Sequence, residues 1–177
     1  MTEENRDAQL SEDQAIEFAH QVLDLARSGD AVTLGKLLDK GLPPNLRTSK
    51  GDTLLMLASY HGQLDAVRTL LDHGADPNIC NDNGQSPIAG AAFKGNLPMV
   101  KLLVEQGADV EGVSPDGKTA LMMAAMFNRA EIAEYLIEKG ANINAQDVNG
   151  VTPLAAAQRM GAPETVVLLE RIQELQK

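Results

Sequence analysis

The chain has 177 residues, which is enough for one domain with a substantial core but short for two ordinary domains. Hydrophobic residues make up 44% of it and aromatic residues only 3%, without Trp, so the core must be built from aliphatic side chains and Met, which favours closely packed helices. The formal net charge of −10 argues against nucleic acid and anionic membranes as partners, because both require Lys and Arg to neutralise phosphate.

The N-terminus and the cysteine content indicate the compartment. Residues 1–17 are polar and acidic, whereas a secretory signal has a basic flank and an apolar run. No stretch of the sequence is long and apolar enough to span a bilayer. A single cysteine, Cys80, excludes an intramolecular disulfide, and a free thiol is typical of a reducing compartment. We therefore expect a cytoplasmic protein.

A repeat of 33 residues runs through the rest of the chain, and three series of glycines carry it. One place in the third series is filled by Asn128, and Asn is the other residue that tolerates a left-handed backbone. The series are Gly51, Gly84, Gly117 and Gly150; Gly41, Gly74, Gly107 and Gly140; and Gly29, Gly62, Gly95 and Gly161.

Each unit of this repeat contains two predicted helices and a turn. A Thr or Ser that can cap a helix opens a short run rich in Ala, Leu and Met, the inner helix. An amphipathic segment follows as the outer helix, and Pro98 and Pro163 fall in the first turn of two such helices, where a missing N–H costs nothing. Because one helix pair cannot bury its own apolar face, neighbouring pairs must stack into a solenoid.

The repeated sequence resembles the ankyrin repeat. The segments SPIAGAA, TPLAAA and LLDHGADPN are close to that family's T-P-L-x-x-A and L-L-x-x-G-A-D-x-N motifs. The resemblance implies an all-α solenoid of about five stacked helix-turn-helix units, and the whole sequence is similar to small free-standing bacterial ankyrin proteins. The family's usual His after T-P-L is replaced by Met56, Ala89, Met122 and Ala155, so apolar packing must substitute for its hydrogen bonds between units.

The predicted boundaries follow from the motifs. Residues 1–17 are expected to form a tail and the start of a capping helix, with Ser11 and Gln14 at the spacing of a capping box. The repeat domain is expected over residues 18–177, and its first unit is a degenerate cap whose outward face meets water. The units lie at about 18–46, 48–80, 81–113, 114–146 and 147–177.

The resemblance also implies a function, because ankyrin stacks resemble a cupped hand and usually bind proteins through the inner helices (the palm) and the turns (the fingers). Fold alone does not give function, but the residues add an independent observation. Tyr60, Phe93 and Phe127 recur at intervals of 33 and 34 residues at the predicted ends of inner helices. Aromatic rings are typical of binding hot spots. The alternative is that these rings fill gaps between adjacent inner helices.

Basic residues are over-represented on the predicted palm and fingers, although the chain has 25 acidic and 15 basic residues in all. We expect a mildly positive cup and a partner protein that is acidic or mixed in charge; the alternative is ordinary solvated surface. The predicted partner-binding residues are Arg47, Lys50, Asp52, Tyr60, His61, Asp82, Asn83, Gln85, Phe93, Lys94, Asp116, Lys118, Met126, Phe127, Arg159 and Met160.

The sequence predicts no catalytic, cofactor or metal site. His20, His61 and His73 fall on different elements and cannot converge as zinc ligands, and Asp82 near Cys80 disfavours a reactive thiolate. The interpretation is a non-catalytic protein–protein interaction module, monomeric on its own, that binds neither nucleic acid nor membrane. The alternative is a dedicated accessory or inhibitory subunit that masks one enzyme or toxin.

Overall fold

The structure, a computed structural model, describes the backbone of residues 3–177 and the side chains of residues 11–177. This part of the chain forms ten α-helices, and its only β-type pairing is an isolated bridge between Arg47 and Thr53. The all-α repeat solenoid predicted from the sequence is therefore confirmed. The helices are α1 (Glu3–Ser28), α2 (Ala31–Asp39), α3 (Leu54–Tyr60), α4 (Leu64–Asp72), α5 (Pro87–Lys94), α6 (Leu97–Glu105), α7 (Ala120–Met126), α8 (Ala130–Glu138), α9 (Pro153–Met160) and α10 (Pro163–Leu175).

The helices form two layers. The odd-numbered helices α1, α3, α5, α7 and α9 pack side by side as the inner layer, and the even-numbered helices pack in the same order as the outer layer. Aliphatic side chains fill the space between the layers, and Leu34, Leu70 and Leu103 are fully buried there. Each unit thus completes its core with side chains from its neighbours, as expected for a solenoid.

Four of the inner helices, α3, α5, α7 and α9, begin where the sequence predicts. Thr53, Ser86, Thr119 and Thr152 are their N-cap residues, and each side-chain oxygen accepts a hydrogen bond from the backbone N–H three residues further on. Such a cap stabilises a helix by about 1 kcal/mol. The repeated Thr or Ser therefore fixes where each unit turns from finger into palm.

The turns depend on left-handed backbone conformations. All glycines of the three series have positive φ, and Asn128 takes the same conformation with φ 58°. The Asn128 side chain adds contacts that Gly lacks, because its Oδ1 accepts from the backbone N–H groups of Glu164 and Thr165, 2.9 and 3.2 Å away. Asn128 therefore joins the fourth unit to the fifth.

The N-terminal helix is longer than predicted. Since α1 begins at Glu3, Ser11 lies well inside it and the predicted capping box of Ser11 and Gln14 is wrong. Ala, Glu and Gln dominate this segment, and they favour helix over a frayed tail. Residues 1 and 2 of the predicted tail lie outside the described residues. No helix in the described part of the chain combines the length and the apolar character that crossing a membrane requires.

Candidate protein-binding surface

A groove follows the exposed ends of α3, α5 and α7 and the turns before them, with a volume of about 920 Å³. We call it the palm groove. Of the sixteen predicted partner-binding residues, the structure brings eleven together in its wall and leaves Arg47, Asp82, Lys94, Arg159 and Met160 outside it. The eleven are Lys50, Asp52, Tyr60, His61, Asn83, Gln85, Phe93, Asp116, Lys118, Met126 and Phe127.

Aromatic rings from neighbouring units meet in the palm groove. The rings of Phe93 and Phe127 pack edge to face, with centroids 4.6 Å apart and planes at 88°. Phe127 is the C-cap residue of α7, one position later in its unit than Phe93 in α5. Phe93, although packed against Phe127, remains 37% exposed, and Tyr60 is 49% exposed, so both rings present apolar surface. The packing of Phe93 on Phe127 agrees with rings that fill a gap between inner helices, and their contact with a partner stays a prediction.

Opposite charges balance in the wall of the groove. Two lysines, Lys50 and Lys118, face two aspartates, Asp52 and Asp116. Lys118 forms an ion pair with Asp116, and its hydrogen bond, with a second from the Ser114 hydroxyl, holds the pKa of the Asp116 carboxyl below its usual value. The wall itself is therefore close to neutral, and the positive character predicted for the cup does not come from it.

Lys94 lies at the edge of the groove beside Tyr60. Its Nζ atom is 4.2 Å from the centroid of the Tyr60 ring, within the range of a cation–π contact. Such a contact at an exposed site contributes about 0.5–1 kcal/mol. The contact links the second and third units at the palm and leaves the Lys94 ammonium in solvent, so its charge remains available at the rim.

Arg47 joins the first two fingers. Its Nη2 donates to the Cys80 carbonyl oxygen at 2.7 Å, and its Nε donates to the Gly51 carbonyl oxygen at 3.0 Å. The Asp82 carboxylate lies 4.0 Å from the same guanidinium. Arg47 and Asp82 thus have internal partners, and they set the spacing of the fingers that border the groove.

The floor of the groove is formed by residues outside the set of sixteen predicted partner-binding residues. Met56, Leu57, Gly90 and Met123 line it from the inner helices. Leu57, Gly90 and Met123 occupy the same position in successive units, the fourth residue of each inner helix. Leu57, Gly90 and Met123 could have been found in the sequence by comparing this position between units.

The histidines lie apart. The His61 Nδ1 atom is 2.9 Å from the Leu57 carbonyl oxygen at the groove, whereas the His73 ring lies on the outer layer between the Asp39 carboxylate at 2.9 Å and the Thr69 carbonyl oxygen at 2.7 Å. The hydrogen bond to Asp39, followed by that to Thr69, raises the pKa of His73. Among the residues described, no three His, Cys, Asp or Glu side chains gather as metal ligands would.

The chain matches a known repeat family and part of one bacterial protein. The family described as ankyrin repeats (3 copies) matches residues 23–114 and 91–175. A Pseudomonas aeruginosa protein that carries the name ankyrin repeat protein is 65% identical over 52 residues, which cover 29% of this chain and only 30% of that protein. Ankyrin repeats are generally protein–protein interaction modules and typically non-catalytic. Since the family match extends over all five stacked helix pairs, this chain belongs to the ankyrin repeat family.

Proposed function

We propose that this protein binds another protein through the palm groove, with Tyr60, Phe93 and Phe127 as the main contacts. The observation that supports this most is that three of the five aromatic residues gather at one groove, where Tyr60 and Phe93 keep exposed ring surface. Clustered exposed apolar groups tend to mark interaction sites, and aromatic anchors dominate the energy of protein interfaces. A ring needed only as a spacer between helices would be buried.

The partner is a cytoplasmic protein of mixed charge with an apolar segment at its surface. A near-neutral groove wall, with Lys50 and Lys94 in no ion pair among the described side chains, favours such a partner over a strongly acidic one. The net charge of −10 keeps copies of the chain apart, so the protein is a monomer until it meets this partner. The finger residues Arg47 and Asp82 contribute by fixing the groove, since they bond to each other and to the fingers.

Copurification from the native source, followed by titration calorimetry with the recovered partner, tests the proposal. Phe93→Ala and Phe127→Ala should each weaken binding by about 2 kcal/mol or more, the scale of an interface hot spot. Arg68→Ala and Glu134→Ala on the outer helices are the controls, because both side chains are exposed and make only long ion pairs, 3.7 and 3.9 Å. Loss of binding in the controls, with both Phe variants binding normally, would move the site to the outer face.

The same experiment separates a general module from a dedicated inhibitory or accessory subunit. One enzyme or toxin recovered in equal amount, and inhibited when bound, would identify a dedicated subunit. Several partners recovered in smaller amounts would identify a module of broader use. Both outcomes use the palm groove, so the Phe variants apply to each.

A further inference from the structure

The inner helix of the third unit has a notch at the centre of the palm groove. Gly90 is the fourth residue of α5, where α3 has Leu57 and α7 has Met123. It lines the groove, and a Cβ atom placed on it would meet no neighbouring atom within 4 Å. The preceding residue is Ala89, where both flanking units have Met. The third unit is therefore the one with the least side-chain volume at the middle of the palm.

Neither backbone conformation nor helix packing requires a glycine at this position. Gly90 lies inside a helix and is not among the glycines with positive φ. Glycine in a helix interior is less stable than Ala. Gly35 shows the contrasting case, because a Cβ there would lie 3.3 Å from the Thr69 Cγ2 atom and crowd the packing of α2 on α4. The absence of a side chain at Gly90 leaves open space.

The notch is bordered by apolar side chains on three helices. Residues three apart on a helix share a face, so the fourth and seventh residues of α3, α5 and α7 form three pairs that all line the groove. Five of these six side chains are large, and only the place of Gly90 is empty. Two of the five are Met, which adapts its shape to a ligand. The pairs are Leu57 and Tyr60, Gly90 and Phe93, and Met123 and Met126.

We propose that this notch takes one large apolar side chain, of the size of Leu, Met or Phe, from the partner polypeptide, and that an Asp or Glu beside it pairs with a rim lysine. Lys118 is already paired with Asp116, whereas Lys50 and Lys94 are exposed and form no ion pair among the described side chains. An apolar anchor flanked by a carboxylate matches this distribution of charge. The inference rests on the proposed function of the palm groove and names the element that the groove recognises.

A random peptide library displayed on phage provides the probe. Peptides selected on the wild-type protein should contain one large apolar residue next to Asp or Glu. Synthetic copies of them, labelled with a fluorophore, should bind Gly90→Met about tenfold or more weakly than wild type by anisotropy, because the new side chain fills the notch. The thermal midpoint should stay the same or rise, since Met is the better helix former. Lys94→Gln should weaken the same peptides and make their binding less dependent on salt.

Ala155→Met is the matched control. It adds the same side chain to the inner helix α9, on a half-buried residue outside the groove wall, and should leave peptide affinity unchanged. The proposal is overturned if the selected peptides lack a large apolar residue, if no peptide is enriched, or if Gly90→Met binds within about twofold of wild type. If the copurified partner is lost by Phe93→Ala but retained by Gly90→Met, only the notch is wrong. If neither substitution affects that partner, the proposed function itself fails.

Discussion

The ring of Phe93 packs against Phe127 and is also partly exposed in the groove. Its truncation to Ala therefore measures how much the ring contributes to the stability of the fold. A Phe in a closed core loses about 3–5 kcal/mol of stability on substitution by Ala. Phe93 is 37% exposed, so about two thirds of its surface is buried. We therefore take about two thirds of the lower value of that range. We expect Phe93→Ala to lower the free energy of unfolding by about 2 kcal/mol, or about 4–8 °C in the thermal midpoint of a protein of this size.

Urea unfolding of a double-mutant cycle would separate the ring contact from the rest of this loss. The edge-to-face contact of Phe93 and Phe127 should appear as a coupling energy of about 0.5–1.5 kcal/mol between their Ala substitutions. A loss above about 3 kcal/mol for Phe93→Ala alone would show that the ring is a buried spacer between helices. A coupling energy near zero would show that the two rings do not pack in solution, which would refute the geometry on which the groove depends.

Three further predictions concern a contact on the outer layer and two residues of the fingers. The hydrogen bonds of His73 to Asp39 and Thr69 raise its pKa in the folded protein. The stability that the contact with Asp39 supplies should therefore be complete below about pH 6.5, the pKa of an unfolded His, and be lost as the pH rises through the raised pKa of the folded protein. Urea unfolding of Asp39→Asn should lack this pH dependence, and a wild-type stability that does not change with pH would contradict the prediction. Arg47→Lys cannot keep both finger hydrogen bonds and should lower the free energy of unfolding by about 1 kcal/mol, so an unchanged urea midpoint would count against the role of Arg47. Half-buried Cys80 should react with a thiol reagent in the native protein, and Cys80→Ser should change stability by less than about 0.5 kcal/mol; a thiol that does not label would show that the finger is closed.

The turns and helix starts could be predicted from the sequence because their requirements are local. A left-handed residue is needed at each turn, and Gly or Asn meets that need regardless of what surrounds it. Asn128 could therefore be predicted as a left-handed turn residue, and its φ of 58° matches the conformation expected there. The same holds for the caps at Thr53 and Thr119, whose side chains bond to a backbone N–H three residues away.

The state of the charges could not be predicted because their partners are distant in the sequence or lie across a turn. Arg47 looked free for a partner protein, yet its guanidinium bonds to a carbonyl oxygen 33 residues further along the chain. Lys118 looked free as well, and the finger folds so that Asp116 pairs with it. These contacts give two of the predicted binding cations internal partners, and the charge of the partner protein stays a prediction. Electrostatic inference from sequence is weakest where side chains have internal partners.

The positions that differ between units bear more directly on the proposed binding surface than the positions that agree. The second to fifth units repeat the Thr or Ser cap, and the three turn series keep Gly or Asn with positive φ, because each unit must close in the same way. The palm positions are not needed to close the unit, and their residue types differ. One such position is occupied in successive units by Tyr60, Phe93, Met126 and Arg159. The groove is centred on the third unit, in which Gly90 and Phe93 share one helix face. Arg159 lies outside the groove wall, so the proposed contact surface spans the second to fourth units and leaves the two end units to cap the stack.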